Sequence, residues 1–227
     1  MSTVQGGQGN IVTNGLVLNL DAANPRSYPQ PYNGTTWTDL SGLGNNGTLI
    51  NGVAYTGSNG GALVFEGISD YVSISYSPTL NFTTGFSCDF WVYSNSGGSP
   101  MFIHQQNGST VGGFEIYSTS NNRIYFNKNA NITLVVSDVS FIRNAWTYVT
   151  CTADGTTASI YVNSTNVKSA SATLPDNVNG ILRIGDWVGS SVYQLNGKMS
   201  TMRLYNRALT PSEILQNFNA TRARFAV

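Results

Sequence analysis

Residues 146–163 read WTYVTCTADGTTASIYVN. Thr147, Val149, Cys151 and Ala153 alternate with Trp146, Tyr148, Thr150 and Thr152, and beyond Asp154-Gly155 the chain runs out through Ala158, Ile160 and Val162. Strand side chains point to opposite faces with a period of two, so two alternating runs joined at Asp-Gly predict a hairpin with one buried face. The small and apolar set, Val149, Cys151, Ile160 and Val162, is assigned to a core shared with Phe86, Phe90, Met202 and Leu204. Tyr148 and Tyr161 are expected on the opposite, half-wet face, where a phenol can find a polar partner.

Working outward, the same signature recurs. Strands are expected over residues 15–21, 61–66, 71–75, 86–93, 101–104, 114–117, 123–127, 132–136, 181–184 and 199–205, with turn residues between nearly every pair, and the run of turn formers that opens at Asp39, DLSGLGNNGTL, is expected to end in a short strand. Residues 22–37 carry three prolines and read as a long surface loop. The one helical signal is near the end. Thr210-Pro211-Ser212-Glu213 is a capping box with proline at the first helical position, followed by an apolar stripe of Ile214, Leu215 and Phe218. The pattern predicts an all-β sandwich of two antiparallel sheets with one short C-terminal helix. One domain over residues 11–220 is expected, with a flexible arm at 1–10 and a tail at 221–227 that is free or contacts a partner.

Only 10% of the 227 residues are charged and the formal net charge is zero, so the electrostatic attraction that dominates nucleic-acid affinity is missing, as is a polybasic membrane signal. No apolar run approaches the roughly 18 residues that span a bilayer. MSTVQGGQGN has no basic start or apolar segment, so a secretory leader is not expected and synthesis in a cytoplasm is. Low net charge also gives little repulsion between copies, which suits a subunit of an assembly. Cys88 and Cys151 both fall on inward strand positions, with free thiols and a single disulfide as the two alternatives.

Five segments, GLVLNLDAANP (15–25), WTDLSGLGNNGTL (37–49), ALVFEGISDYVSI (62–74), the 146–163 hairpin and GKMSTMRLYNRALTPSEI (197–214), together resemble the laminin-G-like, concanavalin A-like jelly-roll domains. The resemblance covers residues 12–220 and implies a jelly-roll sandwich, in a superfamily that includes lectins, adhesion modules, enzyme-appended carbohydrate-binding domains and bare structural domains. The opening and its DLSG loop are also similar to domains of tailed-bacteriophage structural proteins. That resemblance implies a non-enzymatic virion surface, capsid decoration or fibre-associated protein, in contact with other virion proteins through its termini and with affinity for glycans. The alternative is a carbohydrate-binding or adhesion module of a bacterial cell surface.

Glucan-cutting enzymes of the superfamily resemble one another in a Glu-x-Asp-x-x-Glu strand. None of the three glutamates here, Glu66, Glu115 and Glu213, stands in such a motif, and Glu213 is explained by the capping box, so no catalytic residue is expected. His104, the single histidine, is read as a surface or edge residue. Calcium is the one cofactor the resemblance suggests, with Asp39 and Asp70 as candidate ligands among loop carbonyls; the competing reading of each is an Asx turn. For glycan recognition the candidates are Trp37, Tyr55, Trp187 and Tyr193, aromatic residues in loops rich in Asn and Gln. An exposed tryptophan serves protein contact equally well, and both readings stand.

Overall fold

The computed structural model describes residues 10–95, 97–107, 113–128, 132–187 and 192–227. The arm expected at 1–10 falls, up to residue 9, outside them. In chain order the strands are β1 (Leu16–Asp21), β2 (Thr36–Trp37), β3 (Gly47–Ile50), β4 (Ala54–Thr56), β5 (Ala62–Glu66), β6 (Tyr71–Ile74), β7 (Phe86–Ser94) and β8 (Met101–Gln106). They continue with β9 (Phe114–Ser118), β10 (Arg123–Lys128), β11 (Ile132–Ser140), β12 (Trp146–Ala153), β13 (Thr157–Val162), β14 (Thr165–Ser171), β15 (Ile181–Ile184) and β16 (Asn196–Tyr205). Helix α1 (Pro211–Thr221) closes the chain and passes into a short 3-10 turn at Arg222–Arg224.

The strands form two antiparallel sheets. In the first the order is β14-β13-β12-β7-β16-β5-β4, with β1 also paired to β16; in the second it is β11-β10-β9-β8-β15-β6-β3-β2. The 146–163 hairpin lies in the first sheet, with Val149 opposite Val162 and Cys151 opposite Ile160. Val149, Cys151, Ile160, Phe86, Phe90, Met202 and Leu204 are fully buried between the sheets, and Val162 packs on this core while half-buried. Facing them from the second sheet is a row in register, Leu49, Val72, Ile184, Ile103, Ile116, Phe126 and Val135. Cys88 and Cys151 stand opposite each other as free thiols, and burial raises the pKa of both.

The other face of the first sheet departs from expectation. Tyr148 and Tyr161 are buried, because α1 and the residues after it lie across that face and form a second apolar cluster with Trp91, Tyr205, Ile214, Phe218 and Phe225. The capping box forms as expected: the Thr210 hydroxyl accepts the Glu213 N–H, and the Glu213 carboxylate accepts the Thr210 N–H. The apolar stripe is narrower than expected. Leu215 is 47% exposed, and Asn217 and Thr221 take the buried positions beside Ile214 and Phe218. Residues 221–227 are not all free, since Phe225 stacks on Trp91 at 4.1 Å between ring centroids and Arg224 bonds Asp21 at 3.1 Å.

Sequence pattern overlooked three strands. Strand β2 lies within the proline-rich stretch read as loop, and β4 and β14 are too polar or too short to show alternation. Among the described residues no helix is long and apolar enough to cross a membrane.

Candidate functional site

With one face of the first sheet roofed by α1 and both inner faces in the core, the outer face of the second sheet is the large surface left to the strands. A row of polar residues crosses it from edge to edge. In register, Thr36 and Thr48 lead through Ser73, Arg183, His104, Glu115 and Asn127 to Thr133, one residue from each of the eight strands. The period-two rule generates this row, because each of these residues has at least one inward apolar or glycine neighbour on its own strand, such as Ile103 before His104, Phe126 before Asn127 and Leu182 and Ile184 around Arg183. The ends of the row are exposed, whereas its centre is covered: His104 is 0%, Glu115 2% and Asn127 3% exposed.

The cover is aromatic. Gly185, just past the end of β15, has a φ of 89°, a conformation that favours glycine, and a Cβ there would meet the Phe65 ring at 2.7 Å. The bend leads directly into Asp186 and Trp187. The Trp187 ring lies 6.2 Å from that of His104 with an interplanar angle of 23°, and Tyr193 packs against Trp187 at 5.3 Å. Both rings are half-buried. Next along the face, Tyr117 and Tyr125 stack at 5.1 Å, and the Tyr117 hydroxyl accepts from the Asn127 amide at 3.2 Å.

Charges on this face are offset or held neutral. Arg183 donates to Asp186 at 2.8 Å and lies 4.3 Å over the Tyr71 ring, while Gln194 donates to the second Asp186 oxygen at 3.5 Å. Burial, with the Arg183 charge beside it, lowers His104 to about 4; the nearby Asp186 carbonyl, which does not reach hydrogen-bond geometry, offsets only part of this. Burial likewise raises the Glu115 carboxyl to about 7, against a smaller opposing influence of the Asn127 amide. His104 is thus a buried neutral imidazole, which corrects its reading as a surface or edge residue.

Several of these groups have no hydrogen-bond partner. Both ring nitrogens of His104, one carboxylate oxygen of Glu115, the Asn127 carbonyl oxygen, the Arg183 Nε and the Gln194 carbonyl oxygen are all buried and unpaired. Buried polar atoms are almost always bonded, and leaving one unpaired costs on the order of 1–3 kcal/mol. Such a concentration on one sheet face marks a place where water or a ligand completes the bonding.

The structure brings Trp187 and Tyr193 together and separates them from the other two aromatic candidates. Trp37 is fully buried in the core, where it stands opposite Gly47, whose missing Cβ leaves room beside Val72. It offers no surface to a sugar. Tyr55 belongs to the first sheet, on edge strand β4, and stacks on Tyr32 at 4.0 Å in a cluster with Tyr28.

The two aspartates do not fit a calcium site. Asp39 is buried with all its acceptor positions aimed at donors: one oxygen takes the N–H groups of Asn19 and Ser41, the other the Asn45 N–H and the Ser41 hydroxyl. This is the Asx-turn reading, and a cation would have to displace those hydrogens. Asp70 accepts the Glu66 N–H at 2.8 Å, closing the β5–β6 connection, and burial raises its pKa. Calcium takes six to eight oxygens, and among the described residues no group of three or more His, Cys, Asp or Glu side chains is placed to hold a metal.

Sequence reading missed the floor of the site. His104, Glu115, Asn127, Arg183 and Asp186 were passed over or explained locally, although a polar residue directly follows an apolar one in FIHQ, GFEI, YFNK and ILRI. Only the register between strands distant in the chain lines them up.

The class defined by this architecture is the two-sheet concanavalin A-like sandwich. The chain belongs to the concanavalin A-like lectin/glucanases superfamily, whose laminin-G-type family description matches residues 65–215. No curated protein sequence matches the chain. Among solved structures it is similar to the binding domain of Paraclostridial Mosquitocidal Protein 1, with a TM-score of 0.71 and 17% identity over 92% of this chain and 52% of that one. It is also similar to botulinum neurotoxin type C, at a TM-score of 0.71 and 15% identity over 92% of this chain and 52% of that one; the toxin is described as depending on two ganglioside molecules to enter cells. A Trypanosoma rangeli sialidase mutant with trans-sialidase activity matches at 0.69 and 16% identity, over 94% of this chain and 34% of that one. This chain spans about half the length of the toxin structures and about a third of the sialidase. At these identities the likeness establishes the fold.

Proposed function

We propose that the protein is a non-catalytic glycan-binding module and that it binds sugar on the outer face of its second sheet. The observation that carries the reading is the set of buried, unpaired polar atoms of His104, Glu115, Asn127, Arg183 and Gln194 beside the half-buried rings of Trp187 and Tyr193. A pyranose presents an apolar C–H face, which an aromatic ring covers, and a rim of hydroxyls, each able to donate and accept. The superfamily membership and the ganglioside-dependent toxin add support.

Non-catalytic binding is favoured by the placement of the carboxyls. A retaining glycosidase needs two carboxyls about 5–5.5 Å apart with separate tasks. On this face Asp186 is engaged by Arg183 and Gln194, whereas Glu66 is exposed at the end of β5 in the first sheet and Glu213, beside the first sheet, is held in the capping box by Arg207 and Thr210. A glycan microarray probed with the full chain and with Trp187→Ala tests the reading. Binding by the parent and its loss in the variant are expected; an array that the parent leaves empty, or binding that survives the substitution, overturns it.

The proposed setting is the surface of a tailed-bacteriophage particle, with synthesis in the host cytoplasm and several copies docked on other virion proteins. It rests on the resemblance of residues 15–25 and the DLSG loop. Antibody labelling of purified particles tests it, and a protein found instead on a bacterial cell surface would select the adhesion-module alternative.

A further inference from the structure

Taking that glycan-binding reading as its basis, we propose that the site selects neutral, hydroxyl-bearing sugars and rejects glycans carrying a carboxylate or sulfate. The selectivity follows from which unpaired atoms line the floor. The Glu115 carboxylate oxygen, the Asn127 carbonyl oxygen and the Gln194 carbonyl oxygen are acceptors, and a neutral His104 has one acceptor nitrogen and one donor. Against these stand the His104 N–H and the Arg183 Nε–H. With Glu115 ionised the floor has four acceptors and two donors, and with Glu115 protonated three of each; either set suits hydroxyls, each of which donates one hydrogen and accepts as required. An anionic group is acceptor-only, so it would set its oxygens against this floor and leave the acceptors unpaired.

The one cation in the row does not reverse this. Arg183 already donates to Asp186 at 2.8 Å, and its guanidinium carbon lies 4.3 Å from the centroid of the Tyr71 ring. One Nη is thereby held by a carboxylate of the protein whose charge offsets its own, which leaves the Nε–H as a single unpaired donor toward a ligand. The groups facing Glu115 add no positive charge. They are His104 on β8, with the Arg183–Asp186 pair beyond it, and Asn127 on β10, with Tyr117 next on its own strand. Burial keeps His104 uncharged at neutral pH, and an ionised Glu115 would only add to the repulsion of an anion. The toxin described as using gangliosides therefore shares the sandwich but need not share this chemistry.

The test compares matched neutral and acidic glycans on one array, lactose against sialyllactose and against sulfated lactose, with calorimetry on the leading pair. Three chains are used: parent, Trp187→Ala and Asp186→Asn. The parent is expected to prefer the neutral member by at least about tenfold, and Asp186→Asn, which frees the Arg183 guanidinium, to narrow or invert that preference. A parent that binds the acidic member as tightly or more tightly, with binding lost in Trp187→Ala, overturns the selectivity and leaves the glycan site intact. No binding of either class by the parent overturns the site and the selectivity together. Because the parent comparison decides by itself, a poorly folded Asp186→Asn does not blunt the experiment.

Discussion

Asn217 of α1 donates a hydrogen bond of 2.9 Å to Asp89, the anion of an ion pair buried in the first sheet. Asp89 and Arg203 are 2.8 Å apart, on the neighbouring strands β7 and β16. The same amide nitrogen donates to the Tyr205 hydroxyl, and the Asn217 oxygen accepts the Val12 N–H at 2.8 Å. One side chain thus ties the helix, the N-terminal segment and the buried pair together. Removing this hydrogen bond leaves one oxygen of a buried carboxylate unsatisfied even though Arg203 still offsets its charge, which is more costly than losing a surface contact. Asn217→Ala is expected to lower stability by about 2–4 kcal/mol in urea unfolding. A loss under about 1 kcal/mol would mean that the apolar side of α1 alone holds it in place.

Phe225 leads to a second expectation. It is 5% exposed, stacked on Trp91 at 4.1 Å and 4.8 Å from the Trp146 ring. Phe225→Ala should then destabilise the sandwich by about 3 kcal/mol, near the lower end for deleting a buried aromatic ring because this one lies at the edge of its cluster. A thermal melt unchanged by the substitution would return residues 221–227 to the status of a free tail.

What the sequence discloses is what lies within reach along the chain. The 146–163 hairpin shows its period in a single window, and Thr210 to Glu213 completes its capping box within four residues, so both are readable locally. Strand β14 is joined to β13 through Asn163 and Ser164, both at positive φ, a two-residue turn whose Asn was a visible hint that TNVKSAS was too polar to reinforce. Alternation also says that Tyr148 and Tyr161 share a face without saying what covers it. The cover arrives from Ile214, Phe218 and Phe225, more than fifty residues later. The site is less readable still. His104 meets Arg183 through a pairing of strands nearly eighty residues apart, and no local pattern encodes that register.

Two tryptophans that look alike in sequence separate cleanly in the fold. Trp37→Ala should cost about 3–5 kcal/mol, the range for emptying a buried aromatic position, while Trp187→Ala, at a half-buried surface ring, should cost about 1 kcal/mol or less. Glycan retention should show the reverse order, lost in Trp187→Ala and kept in whatever fraction of Trp37→Ala remains folded. Urea midpoints paired with retention on a glycan column would check both, and equal destabilisation by the two changes would refute the assignment of Trp187 to the surface.

His104 and Glu115, opposite each other on β8 and β9, make the last expectation one of opposing pH slopes. Glu115 is raised from 4.5 to about 7, so between those values the folded protein holds a proton that the unfolded chain has released. Stability contributed by Glu115 is complete below about pH 4.5 and is lost as pH rises toward 7, at about 1.4 kcal/mol per pH unit. His104 is lowered from 6.5 to about 4, so over that span the unfolded chain holds the extra proton. Its contribution is complete above about pH 6.5 and is lost as pH falls toward 4, at a similar slope of opposite sign. Between about pH 4.5 and 6.5 the two nearly cancel, and the parent's urea midpoint should be almost flat there. Glu115→Gln removes one slope and should leave a protein that weakens toward acid; His104→Gln removes the other and should leave one that weakens toward neutral pH. Midpoints measured across this range decide the matter, because two variants as flat as the parent would mean that neither group is held neutral inside the fold.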